Sequence, residues 1–172
     1  MHLDVLTIVL LFLFGFIGAF LNAVVGGGGL ITLPALMFVG LPPATAIATN
    51  KLAASMGNFT SMFTFLRAGK IDFKRLAPYI PLVFIAAMSG AYIVHFLSAE
   101  TLKPLVLVML VIVLIYTMLK KDWGSLDKQE VLSKKRKLLF AVAVIFLGFY
   151  DGFFGPGTGS FLIFIFIYLG YD

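Results

Sequence analysis

The stretch Asn22-Ala-Val-Val-Gly-Gly-Gly-Gly-Leu-Ile-Thr-Leu-Pro34 sets four consecutive glycines and a proline inside sequence that is otherwise apolar. It reads as a helix broken within a membrane. Hydrocarbon holds no water to satisfy free backbone N–H and C=O groups, so irregular backbone persists at that depth only where protein buries it or where it lines a wet cavity. Gly26, Gly27, Gly28 and Gly29 are therefore candidates for a functional site.

The surrounding composition supports the membrane reading. The chain is 61% hydrophobic and only 12% charged, with a mean hydropathy of +1.07, whereas soluble domains carry about 25% charged residues. Apolar stretches near 5–25, 43–66, 76–97, 102–119 and 138–154 approach or exceed the roughly 20 residues that a spanning helix needs. The pieces 29–40 and 159–170 are too short for comfortable spans. The first stretch has no basic segment ahead of it and runs directly into the glycines, so it is expected to be a retained helix rather than a cleaved leader. The absence of cysteine removes disulfides and thiolate metal sites, and leaves the redox compartment undetermined.

Eleven of the thirteen Lys and Arg residues fall in two loops. Arg67, Lys70, Lys74 and Arg75 form the first, and Lys120, Lys121, Lys128, Lys134, Lys135, Arg136 and Lys137 form the second. An excess of basic residues marks cytoplasmic loops, which places 67–75 and 120–137 inside the cell and Pro42-Pro43 and Ser98-Ala-Glu100 outside. The pI near 9.5 is accounted for by these topology charges, no recognition motif accompanies them, and no nucleic-acid partner is expected.

A gapless shift of 130 residues superposes Gly18, Gly27, Gly29 and Gly40 on Gly148, Gly157, Gly159 and Gly170. The same shift sets Gly26 opposite Pro156, Gly28 opposite Thr158 and Asn22 opposite Gly152. In both copies an apolar helix meets a glycine cluster and continues into a short apolar segment, the paired broken helices that typify secondary transporters. The expected fold class is thus an all-α polytopic membrane protein of two internally repeated helical halves with Gly-broken short helices. The organisation expected is a first repeat over 1–119, a basic cytoplasmic loop over 120–137, and the truncated start of a second repeat over 138–172. Whether the repeats are inverted or parallel turns on segment 29–40, which at 1.5 Å per residue covers only about 18 Å of a roughly 30 Å core. The inverted arrangement is expected because it builds many transporters.

A glycine-rich turn before a helix exposes unpaired N–H groups and partial positive charge, and so forms a cradle for an anion. Gly26 to Gly29 before Leu30 have this form, as does Gly155-Pro-Gly-Thr-Gly159 before Ser160. Gly157, Thr158, Gly159 and Ser160 are accordingly candidate substrate contacts, with Thr158 and Ser160 adding hydroxyl donors. The alternative is close packing of helices through small residues, since Gly148/Gly152 and Gly155/Gly159 have the GxxxG spacing. A Gly-Lys-Ser/Thr ending is lacking, which argues against a nucleotide.

Lys51 stands eight residues beyond Pro43, about 12 Å along its helix, where a charge is costly in lipid and should face the bundle interior. Ala44, Ala48, Ser55, Asn58 and Met62 share its face at helical spacing, a small and polar surface suited to lining a cavity. Lys51 is a candidate anion contact, or else a lysine that snorkels or pairs structurally. Thr49 and Asn50 beside it complete the candidate anion site or bond between helices, and the same two readings hold for Asn22. Asp151 is the second intramembrane ionisable residue. It is a candidate for proton coupling, or for pairing with Lys51 when no substrate is bound, or a carboxylate wetted at a helix end.

His2 and His95 are isolated from other ligand-type residues, so no metal site and no cofactor are expected. Trp123 with Tyr116 suits an interfacial anchor. Ser98 reads as an N-cap, and Pro78, Pro81 and Pro104 as residues of helix starts.

Four segments together resemble the TauE/SafE family of sulfite and organosulfonate exporters: Leu21 to Pro34, Ala48-Thr-Asn-Lys51, Arg67-Ala-Gly-Lys-Ile-Asp72, and Gly148-Phe-Tyr-Asp-Gly-Phe-Phe-Gly-Pro-Gly-Thr-Gly-Ser160. The resemblance implies a multi-pass bacterial inner-membrane protein of two related halves that exports small sulfur-containing anions by a secondary mechanism. It also implies chains about half as long again as this one, the remainder holding a second copy of the Asn-Lys helix. Two functions from different classes follow. One is an anion transporter working by alternating access. The other is a non-transporting membrane scaffold or assembly subunit in which the glycines serve packing alone. An enzyme is not expected, since no Ser/His/Asp set or carboxylate dyad is present. The partners expected are a small anion and the lipid bilayer, with association into a homo-oligomer left open.

Overall fold

The computed structural model describes residues 4–70, 73–119 and 134–169. Among these, helix α1 (Val5–Val25) is followed by α2 (Gly29–Phe38), α3 (Pro43–Arg67), the single turn α4 (Phe73–Leu76), a 3-10 turn (Ala77–Tyr79), α5 (Ile80–Phe96), α6 (Ala99–Leu119), α7 (Lys134–Phe153) and α8 (Thr158–Leu169). Trp123, His2, Gly170 and the expected loop residues 120–133 lie outside the described residues. The last four residues of the expected basic loop, Lys134 to Lys137, belong to α7. In the first basic segment Arg67 ends α3, and Lys74 and Arg75 lie in α4.

The local signals act where elementary chemistry puts them. Pro43 opens α3, where its missing N–H is no loss. The N–H of Thr101 donates to Ser98 Oγ at 3.3 Å, so Ser98 caps α6. Pro78 opens the 3-10 turn and Pro81 the first turn of α5. Pro104 differs from expectation: it lies inside α6, beyond the first turn. There it removes one intrahelical bond, to the Glu100 carbonyl, close to the exposed N-terminal end of the helix.

Among the described residues, three segments are long and apolar enough to cross a membrane: Val5–Val24, Ala77–Phe96 and Ala99–Leu119. Their apolar side chains point outward along much of their length, as at Phe12, Phe16, Phe84, Ile112 and Met118. Helix α3 is long enough at 25 residues. Its Thr49, Asn50, Lys51, Ser55, Asn58, Thr60 and Thr64 make it the most polar of the long helices, and it is not one of these three spans. It is buried only at Pro43, Ala46 and Ile47, near its start. There it joins Leu33, Val94, Leu102, Val106, Leu110 and Phe154 in the central cluster. A smaller cluster around Phe140 and Val144 ties α7 to Tyr79, Val83 and the apolar face of α8.

Helices α5 and α7 pack through their backbones. Gly148 rests on Val83, Gly152 on the Ala87 carbonyl, and Gly90 on the chain from Phe149 to Phe153. Bare backbone on both sides is what permits this approach. A methyl at Gly152 would overlap Ala87, whereas a methyl at Gly15 on α1 would meet nothing within 4 Å. Gly152→Ala is therefore expected to lower thermal stability in detergent, by roughly the 1–3 kcal/mol of an overpacked core. Gly15→Ala should be neutral or stabilising, since alanine favours helix by about 1 kcal/mol over glycine. A thermal unfolding comparison in which the two variants behave alike would contradict the α5–α7 contact.

Candidate functional site

Each broken helix is closed by the hydrogen bonds that its sequence allows. Helix α1 ends where Gly26 turns left-handed at φ 72°, its N–H donating to the Asn22 carbonyl at 3.0 Å. Helix α2 starts with Leu30 N–H donating to Gly27 O at 3.0 Å, while both the N–H and the hydroxyl of Thr32 donate to Gly28 O. Helix α7 ends when the N–H groups of Phe154 and Gly155 both fold back on the Tyr150 carbonyl, at 2.8 and 3.3 Å. Gly155 and Gly157 then take φ of 98° and 81°, which L side chains rarely adopt. The Thr158 hydroxyl donates to Gly155 O at 2.6 Å, and the Tyr150 hydroxyl donates to Pro156 O at 2.7 Å.

The two breaks touch. A Cβ on Gly26 would overlap the backbone of Gly159, and a Cβ on Gly159 would overlap Gly26. Pro156 abuts Gly29, where an added Cβ would meet its Cγ at 3.0 Å. One glycine cluster of each sequence copy thus forms half of a common junction.

Two consecutive residues of α3 then reach the two breaks separately. The Thr32 hydroxyl bonds the Asn50 carboxamide oxygen, and the Asn50 amide nitrogen lies beside Gly29, 3.1 Å from where a Cβ would stand. Lys51 Nζ donates to the main-chain carbonyl of Asp151. It also pairs with the Asp151 carboxylate, 3.5 Å from Oδ2, with the lysine side chain 26% and the aspartate side chain 50% exposed. Gly155 is adjacent, its missing Cβ leaving 3.0 Å to Nζ. Asn50 therefore reads the first break and Lys51 the second.

Of the residues expected from sequence, Gly26, Gly29, Asn50, Lys51, Asp151, Gly159 and the start of α8 come together here. Thr158 and Ser160 are buried there, and the Ser160 nitrogen approaches Gly26. Gly27 is buried within the first turn, and Gly157 packs against Val113 of α6. Gly28 rests on Gly18 and Asn22. Two of the expected residues, Asn22 and Thr49, stand elsewhere or act differently. Asn22 donates instead to Asn58 Oδ1 at 3.4 Å, linking α1 to α3 two turns beyond Lys51. Thr49 is exposed on α3, and so are the Ala44, Ala48, Ser55 and Asn58 positions of the lysine face. Gly148 and Gly152 serve helix packing, as the alternative reading had it. Sequence reasoning missed Thr32, and it placed Gly155 in the second glycine cradle without assigning it a contact. The signal for Thr32 was its position four residues after Gly28, where a hydroxyl reaches back to the carbonyl.

This is a helical membrane protein built on two contacting helix breaks, with Lys51 bound at the second of them. The chain belongs to the sulfite exporter TauE/SafE family, whose model matches residues 11–172. It is 37% identical over 161 residues to a probable membrane transporter protein of Haemophilus influenzae, covering 93% of this chain and 62% of that one. It is 35% identical over 159 residues to the probable membrane transporter protein YfcA of Escherichia coli K12, covering 92% and 58%. A probable membrane transporter protein of a Sinorhizobium species is 33% identical over 160 residues, covering 92% and 60%. The chain thus spans about six tenths of the length of these relatives. No solved structure matches it.

The contact between the breaks can be tested directly. Gly26→Ala places a side chain at positive φ, which costs roughly 1–2 kcal/mol by itself, and drives it into Gly159. Gly27→Ala would meet only the Leu30 side chain at 3.7 Å. Fluorescence-detected size exclusion should give a reduced folded peak for Gly26→Ala and a near wild-type peak for Gly27→Ala.

Proposed function

We propose that this chain carries the anion-binding part of a secondary membrane transporter that exports small anions of the sulfite and organosulfonate class by alternating access. The observation that carries the reading is the placing of Asn50 and Lys51, neighbours in sequence, against two different helix breaks. Membrane transporters use discontinuous helices in this way, because half-helix N-termini supply partial positive charge and free donors to an anion. Lys51 adds a full positive charge at the same junction, and charge-assisted bonds are the strong ones. The sulfur preference comes from the family, whose model bears the name of sulfite exporter, and transport is consistent with the names of the relatives. We place the protein in the bacterial inner membrane, with segments 67–75 and 120–137 on the cytoplasmic side, on the strength of their basic residues.

In the proposed cycle the anion sits between the N-termini of α2 and α8 with Lys51 as countercharge. Asn50 would fix the first break through Thr32, and Thr158 would hold the second in shape. Rearrangement of one broken helix against the other would open the junction to each side in turn.

Efflux of sulfite, methanesulfonate and thiosulfate from cells expressing the full reading frame tests the reading, with Lys51→Met as the paired variant. A hydrogen bond to a charged group contributes roughly 1.5–3 kcal/mol, so the variant is expected to lose about 10- to 100-fold in apparent anion affinity while still inserting. Unchanged efflux from Lys51→Met would remove the lysine from the site. No efflux of any of the three from inserted wild-type protein would favour the scaffold.

A further inference from the structure

We propose that Asp151 is the resident counter-ion of Lys51, and that a monovalent anion binds by replacing it while the Asp151 carboxylate takes up one proton from solution. The inference rests on the anion-binding reading above and adds to it the charge of the substrate and a linked proton.

The two bonds that Lys51 makes to Asp151 are unlike. The main-chain carbonyl belongs to the end of α7 and is fixed by the backbone, because Phe154 and Gly155 have turned to Tyr150 instead. The carboxylate is held at 3.5 Å and is half exposed, beyond the roughly 2.7–2.9 Å of a strong charge-assisted bond. It is the partner that can leave. The carbonyl bond would keep the ammonium in place during the exchange, so the incoming anion meets a positioned cation.

Once displaced, the carboxylate would stand beside a bound anion with nothing to compensate it. Among the described residues, the following groups lie on the elements around it. From α3 the charged neighbour is Lys51 itself. Helix α5 packs on the α7 backbone at Gly148, Gly152 and Phe149 to Phe153 through Val83, Ala87 and Gly90, none of them charged. On α7 the adjacent Tyr150 has its hydroxyl committed to Pro156 O. From the break and α8 come Gly155 and Thr158, whose hydroxyl is committed to Gly155 O. Two like charges brought together at one site disfavour each other, and protonation of one relieves the repulsion.

The charge count then selects the substrate. Empty, the pair Lys51 and Asp151 sums to zero. With a monovalent anion bound and Asp151 protonated the sum is again zero, so both forms can sit at the same depth in the bilayer. A divalent anion would leave one uncompensated negative charge. The site should therefore take sulfonates and hydrogen sulfite in preference to sulfate-like dianions.

Purified protein and methanesulfonate, a monovalent anion that does not titrate over the range used, make the test. Its dissociation constant is measured by thermal-shift titration near pH 8 and near pH 6, and proton uptake is followed with an indicator dye in weak buffer. The expected result is an affinity that tightens by up to about tenfold for each unit of falling pH, because one linked proton gives that slope. About one proton should be taken up per anion bound, and sulfate should bind more weakly than methanesulfonate. Asp151→Asn, neutral at every pH and without a carboxylate to compete for Lys51, should bind with one affinity at both pH values, at least as tight as that of the wild type near pH 6, and take up no proton. Should that variant fail to fold, the proton count of the wild type decides. Wild-type binding that is equal at both pH values with no proton uptake overturns the exchange and leaves the anion site standing. Sulfate bound as tightly as methanesulfonate overturns the charge selection. Binding of neither anion at either pH overturns the anion site and the exchange together.

Discussion

When α7 breaks at Gly155, the main-chain carbonyl of Asp151 loses the N–H that a continuing helix would bring to it, and the ammonium of Lys51 takes that place. In hydrocarbon an orphaned carbonyl costs several kcal/mol, so a break of this kind exists only with a donor supplied from elsewhere. The rest of the junction follows from that requirement. Helix α3 must run past the end of α7 to deliver the lysine, and it must do so where Asn50 can reach the start of α2. The two breaks are thereby brought against each other, and their contact at Gly26 and Gly159 leaves no room for a side chain on either.

The membrane helices were legible in the sequence because length and hydropathy are properties of a segment alone. The expected stretches 5–25, 76–97 and 102–119 return as the three candidate spans, whereas 43–66 and 138–154 return as helices α3 and α7 that do not qualify as spans by length and composition. The breaks were legible for the same reason, since four glycines in a row cannot sustain a helix against their backbone entropy. Lys51 and Asp151 stood out as charges in apolar surroundings. What could not be read was which groups meet across helices. Asn22 lies one turn before the first break and was open to two readings, a substrate contact or a bond between helices, and it bonds across to Asn58 of α3. Gly148 and Gly152 had the spacing of a packing motif, but that their partners would be Val83 and Ala87 of α5 was not in that spacing. Helical spacing defines a face, but the neighbour of a face is set by the path of the whole chain. The side-chain positions of Ala44, Ala48, Ser55 and Asn58 illustrate the point. They share the face of Lys51 as spacing requires, and they are exposed while the lysine alone bends to α7.

The polarity of α3 makes sense beside its burial. A helix bearing two Asn and a Lys, with Thr and Ser besides, is a poor lipid-facing element, and Thr60 and Thr64 return their hydroxyls to carbonyls four residues back at 3.0 and 2.9 Å. That back-bonding satisfies the hydroxyls within the helix, whereas Asn50, Lys51 and Asn58 carry groups too large or too charged to be satisfied so. All three find partners on other helices. The helix therefore sorts its polar residues into those that self-satisfy and those that couple α3 to α1, α2 and α7.

A broken helix has two ends of opposite character. The C-terminal end of α7 presents carbonyls and partial negative charge, while the N-terminal ends of α2 and α8, which meet it at the junction, present N–H groups and partial positive charge. An anion arriving at an unmodified break would meet attraction and repulsion together. Lys51 resolves that conflict by binding at the negative end, where it satisfies the Asp151 carbonyl and at the same time turns the local field positive. The same ammonium would then serve two tasks that sequence reading had treated as alternatives. The lysine that pairs structurally and the lysine that supplies countercharge are one residue, since its bond to the backbone is what holds its charge where an anion between the two breaks would need it.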